Sequence, residues 1–160
     1  MKQIKCAFAL AVALAMTLPF ASLSAESSDP IIGTWQLNLQ KSKFLPGPPP
    51  QSQTRTYVAD KDRITMSAEG VDAKGNPTQQ EWSAKYDGKD YPVADSPTFN
   101  SISMKRVDDS TVTSTSKKDG RIVSNATRVI SKDGKELRIT VKGTDDKGES
   151  FTNVMVFDRR

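Results

Sequence analysis

The sequence predicts an all-β chain, folded as a single antiparallel up-and-down (meander) β-barrel of about 8–10 strands. Three observations carry this expectation. Short runs alternate apolar and polar residues, as half-buried strands do. Tight turn signals such as Lys118-Asp119-Gly120-Arg121 and Lys132-Asp133-Gly134-Lys135 separate the runs. No segment after the N-terminal leader carries the periodicity of an amphipathic helix.

Taken in order, Thr34–Leu39 places Trp35, Leu37 and Leu39 on one face. Thr54–Ala59 follows, then the turn Asp60-Lys61-Asp62 and Arg63–Ala68, where Ile64, Met66 and Ala68 share a face. Gln79–Tyr86 alternates Gln80, Trp82, Ala84 and Tyr86 against Glu81, Ser83 and Lys85, and a short Asp90–Val93 comes next. The second half continues with Ser101–Val107, carrying Ile102 and Met104, and the Ser/Thr-rich Thr111–Lys117. Ile122–Ser131, Glu136–Lys142 (Leu137, Ile139 and Val141 in register) and Phe151–Asp158 complete the chain. Near-neighbour hairpins favour a meander over a Greek-key sandwich, which needs longer crossovers. Only Gln40–Gln53 and Ala94–Asn100 exceed a few residues. Closing the sheet into a barrel also removes exposed strand edges.

Residues 1–25 have the layout of a secretory signal peptide: Lys2 and Lys5, an uncharged Ala- and Leu-rich run, and a small residue at the cut after Ala25. The apolar run is broken by Pro19 and is short for a membrane span. The expected organisation is therefore a cleaved leader, 1–25, and one domain, 26–160, periplasmic or secreted, with no stable membrane insertion after cleavage. Of the 23 Lys and Arg, loss of Lys2 and Lys5 leaves 21 against 19 acids, so the basicity is partly a property of the leader. Acids and bases are interspersed, with no basic stripe of the kind that binds nucleic acid.

The chain has no histidine and its one cysteine is Cys6. That excludes the usual zinc, copper and haem ligand sets and the Ser-His-Asp and Cys-His constellations. No phosphate-cradling Gly-rich loop is present. The aspartates fall mainly in Gly- and Lys-containing turns, where they serve local hydrogen bonding. No enzyme, cofactor or metal is expected. The repeated G-x-D-x-K-G at Gly70–Gly75 and Gly143–Gly148 lacks the six to eight oxygens of a calcium loop. It is read as one hairpin solution used twice.

Gly33-Thr34-Trp35 resembles the G-x-W of the lipocalins, and Lys117–Gly143 is similar to the late hairpins of intracellular fatty-acid-binding proteins. On these residues the chain resembles the calycin superfamily, nearest in look to lipocalin-like small proteins that bacteria export. The resemblance implies that Trp35 opens the first strand and closes one barrel end, with Gly33 beside it and Arg159 or Arg160 lying over it. Two departures matter. The connection Gln40–Gln53 is rich in proline, so an extended flap replaces the helical lid of the fatty-acid-binding proteins. Where that family has an Arg-x-Tyr carboxylate anchor, this chain reads Met155-Val156-Phe157. Arg128, and after it Arg106, are the candidate replacements, although a register slip of one residue would turn either outward.

The leading functional expectation is a non-catalytic carrier or scavenger of a small hydrophobic, lipid- or fatty-acid-like ligand. Trp35, Met66, Trp82, Tyr86, Ile102, Met104 and Arg128 are the candidate ligand contacts; for the apolar ones the competing assignment is plain core. The alternative is an exported protein-binding module with a filled barrel, acting through its Pro-rich flap and the Ala94–Asn100 loop with Phe99.

Overall fold

The computed structural model describes residues 29–160, so the expected leader lies outside the described residues. Eleven strands follow one another: β1 Gly33–Leu37, β2 Lys43–Leu45, β3 Ser52–Asp60, β4 Arg63–Val71, β5 Pro77–Ala84 and β6 Asp87–Pro92, then β7 Ser101–Arg106, β8 Thr111–Lys118, β9 Arg121–Ile130, β10 Glu136–Thr144 and β11 Ser150–Arg159. All pair antiparallel in one sheet, ordered β5-β4-β3-β1-β11-β10-β9-β8-β7-β6, with β2 also on β11. This is the meander that the alternating runs predict. Closure is made by β1, which pairs with β3 on one side and with β11 on the other. The two ends of the path, β5 and β6, are consecutive in sequence, yet no ladder joins them.

Strand direction alternates, so the barrel has two distinct ends. The lower end gathers Trp35 and Arg159. The upper end gathers the Pro-rich flap, the Ala94–Asn100 loop and both G-x-D-x-K-G turns. Facing positions along the ladders define the interior: Trp35 opposes Arg55 and Arg159, Tyr57 opposes Met66, Met66 opposes Trp82, and Ile139 opposes Arg128. The lower and middle layers are the core, with Trp35, Tyr57, Leu137 and Phe157 each 0% exposed.

The first strand departs from the sequence expectation. Alternation through Thr34–Leu39 placed Leu39 in the core, but a single 3-10 turn, Leu39–Lys41, interrupts the strand and leaves Leu39 40% exposed. The cause lies in Asn38 and Ser42. Asn38 Oδ1 accepts from Lys41 N, and the Ser42 hydroxyl donates to Asn38 O at 2.7 Å. Ser42 Oγ also accepts from Val156 N at 2.9 Å, which replaces a ladder bond. The bulged segment covers the outward side chain of Val156, which is fully buried. β2 then resumes the line along β11, with Phe44 opposite Asn153.

The two echoed turns have one geometry. Asp72 Oδ1 accepts from Lys74 N and Asn76 N, and Asp145 Oδ1 accepts from Lys147 N and Glu149 N. The glycines opening each echo are needed for close strand approach. A Cβ on Gly70 would lie 2.3 Å from Ser52 O, and one on Gly143 would lie 2.2 Å from Val123 O. Neither backbone oxygen can yield without disturbing its ladder. Gly143→Ala is expected to cost about 1–3 kcal/mol, the range for overpacking, read as a lowered urea midpoint at unchanged slope.

Candidate functional site

The lower end is sealed from the sequence outward. Asp29 folds the segment before β1 into a turn, accepting from Ile31 N at 3.0 Å, and Ile31 enters the core at 2% exposure. Ile31 O accepts from Trp35 Nε1 at 2.8 Å, which satisfies the buried indole. The Arg159 guanidinium lies 4.1 Å from the Trp35 ring centroid and donates to the carbonyls of Ile32 and Gly134. Gly33 (φ +130°) makes room for it, because a Cβ there would stand 2.8 Å from Arg159 Nη1. The glycine of Gly33-Thr34-Trp35 thus serves both the backbone turn and the passage of this arginine.

Tyr86 belongs to the same end, where it packs against the core. β5 stops at Ala84, so the alternation that carried Tyr86 inward ends two residues before it. Its hydroxyl donates to Asp29 Oδ2 at 2.8 Å, and the Arg106 guanidinium lies 4.3 Å from its ring while also pairing with Asp29. Burial, reinforced by the Asp29 bond, raises the phenol well above its ordinary range. Asp29 carries no signal in the alternation pattern; only its turn-forming residue type points to it.

The middle layer brings four of the candidate residues together: Met66, Trp82, Met104 and Arg128. Arg128 faces inward from β9, 4% exposed. Its Cζ lies 5.4 Å from the Trp82 ring centroid and 5.9 Å from that of Tyr57, both within cation–π range. Its Nη2 meets Met104 Sδ at 2.7 Å, a poor acceptor for a full charge. Nε and Nη1 have no hydrogen-bond partner, and neither does the buried Tyr57 hydroxyl. Tyr57 stands edge-on to Trp82, with ring centroids 6.3 Å apart. It was missing from the sequence candidates because Tyr57 and Val58 are adjacent and apolar, so alternation alone does not say which faces in.

A buried guanidinium is costly unless paired and fully hydrogen-bonded, the penalty being several kcal/mol. The aromatic faces offset part of this. The unmet capacity that remains is two nitrogen donors and one phenol in a single apolar layer. A carboxylate or other small anion matches that set, because it accepts from a guanidinium and a hydroxyl together. Trp35, by contrast, belongs to the sealed end.

A surface groove lies where the sheet lacks a ladder. A groove of about 500 Å³ runs along the free edge of β5, with Ala68, Gln80 and Trp82 on its inner side, Glu69 and Glu81 on its outer side and Pro92–Asp95 across it. Arg63 of β4 reaches across to β6, its guanidinium 4.9 Å from the Tyr91 ring centroid. A larger concavity, about 820 Å³, lies on the outer face of β1, β3, β4 and β5. Polar side chains there bond one another, as in Thr54 Oγ1 donating to Gln36 Oε1 at 2.9 Å, and it holds none of the orphaned groups.

In fold the chain is a nearly closed antiparallel β-barrel. The sheet is a meander whose first and last strands pair, with Trp35 beneath Arg159 at the join, and it stays unpaired between β5 and β6. No family model matches the sequence, and no curated protein does. Among solved structures it is similar to a zebrafish ileal bile acid-binding protein complexed with cholic acid, at 14% identity over 82% of this chain and 99% of that one, TM-score 0.49. It is also similar to As-p18, an extracellular fatty acid-binding protein, at 12% identity over 82% and 97%, TM-score 0.48. Lobster apocrustacyanin A1 gives 12% identity over 84% of this chain and 63% of that one, TM-score 0.45. Among the described residues no group of three or more His, Cys, Asp or Glu could hold a metal ion, and no helix is long and apolar enough to cross a membrane.

Proposed function

We propose that the protein is a non-catalytic binding protein for a small apolar molecule that ends in an anionic group. The observation that carries this reading is the pair of unpartnered donors on buried Arg128 beside the unpartnered Tyr57 hydroxyl. The anion sits on that pair, and the apolar body runs past Trp82 toward the upper end of the barrel. It is the class of ligand for which two of the similar proteins are named. The signal-peptide layout of the sequence at residues 1–25 supports action outside the cytoplasm, in the periplasm or beyond.

Burial of about ten methylenes at about 0.8 kcal/mol each gives a gross term near 8 kcal/mol, and ordering costs reduce it. The expected affinity for a long-chain acid is therefore about micromolar once the anion contact is added. Displacement of a fluorescent fatty-acid analogue by unlabelled palmitate tests this. Displacement in the micromolar range is the expected result. No binding of the analogue, and none by a wider panel of acidic lipids and isoprenoid acids, would remove the carrier reading.

A further inference from the structure

The interior carries a charge imbalance. Arg55, Arg106, Arg128 and Arg159 occupy inward-facing positions, and among the described residues no Asp or Glu occupies an inward-facing strand position. Two of these arginines are matched locally, Arg159 by carbonyl oxygens and Arg106 by Asp29. Arg128 and Arg55 are not. Arg55 is half-buried, one inward position above Tyr57 on β3, or about 7 Å along the strand. Its Nε donates to Gln53 Oε1 at 3.0 Å, its Cζ lies 5.0 Å from the Phe157 ring centroid, and its Nη2 reaches only Met155 Sδ at 3.9 Å. Neither arginine has a carboxylate partner among the described residues.

The upper layer carries polar side chains as well. Gln53, Gln80, Ser114, Ser116 and Asn153 face inward in the upper layer, where a plain alkyl chain would strip them of water and return no hydrogen bonds. A second anionic group removes that conflict. It would accept from Arg55 and from the neighbouring amides and hydroxyls, and it would balance the second unmatched charge.

We infer that the ligand is an organic diacid: one carboxylate lies deep on Arg128 and Tyr57, and the other lies nearer the mouth on Arg55. This rests on the anion-binding reading above and narrows it from a monoacid to a dianion.

The test titrates the full domain at pH 7 with decanedioic acid, its monomethyl ester and decanoic acid. The diacid should bind about ten-fold or more tighter than either monoanion, the yield of one added charge-assisted contact. In Arg55→Gln the three ligands should converge to within about two-fold of one another, whereas Arg128→Met should weaken all three. Equal affinity of the diacid and its monoester in the wild type would overturn the diacid assignment and leave the deep anion site standing. So would an Arg55→Gln variant that keeps the diacid advantage. Absence of binding by all three, with palmitate also inert, would overturn both readings together.

Discussion

Trp35→Ala should lower the stability of the domain by about 3–5 kcal/mol, the range for removing a fully buried large aromatic. Three losses combine. The indole is 0% exposed and fills the lower end, so its removal leaves a cavity between Ile31, Leu37 and Phe157. Its N–H holds Ile31 O, so the turn set by Asp29 loses its tie to the barrel. The Arg159 guanidinium loses the ring that it covers, a contact of about 0.5–2 kcal/mol. Urea unfolding followed by circular dichroism reads the sum. A change below about 1 kcal/mol would mean that the lower end is closed by something other than Trp35.

Arg128→Met should separate stability from binding. Replacing an unpaired buried guanidinium with a side chain of similar length removes a desolvation penalty. Buried ionic groups exchanged for apolar ones often leave proteins equally stable or about 1–4 kcal/mol more so. The thioether also suits its surroundings of Trp82, Tyr57 and Met104. The same change removes the donors to an acid, whose charge-assisted bonds contribute about 1.5–3 kcal/mol each. Acidic ligands should then bind about 10- to 100-fold more weakly at an unfolding midpoint that holds or rises. A variant that loses stability and binds acids normally would make Arg128 a packing residue held by its two aromatic neighbours.

The parts of this fold that the sequence announces are those governed by local rules. Lys-Asp-Gly turns and two-residue alternation specify the hairpins, because each needs only a turn and the strands beside it. The inward placement of Met66, Trp82 and Met104 follows from the same alternation. Arg128 faces inward because its hairpin register carries Ile130 and Arg128 opposite Leu137 and Ile139. The missed features depend on contacts between distant segments. Leu39 leaves the core because Ser42 and Asn38 capture the backbone of Val156, and Asn38 also bonds the Asp158 side chain, 114 or more residues away. Tyr86 is fixed at the lower end because Asp29 and Arg106 hold it there. The missing ladder between β5 and β6 has no local signal, since the intervening residues read as an ordinary hairpin. Tyr57 and Arg55 share one face of β3, but the apolar pair Tyr57-Val58 hides which face that is.

The most direct measurement of the central claim, an anion site inside the barrel, compares palmitate with hexadecanol by calorimetric titration of the same protein. The two differ only in the terminal group, so their apolar terms cancel. The unpartnered donors of Arg128 and Tyr57 predict that palmitate binds at least about ten-fold tighter, with the difference abolished in Arg128→Met. Equal affinity for the two in the wild-type protein would contradict the account.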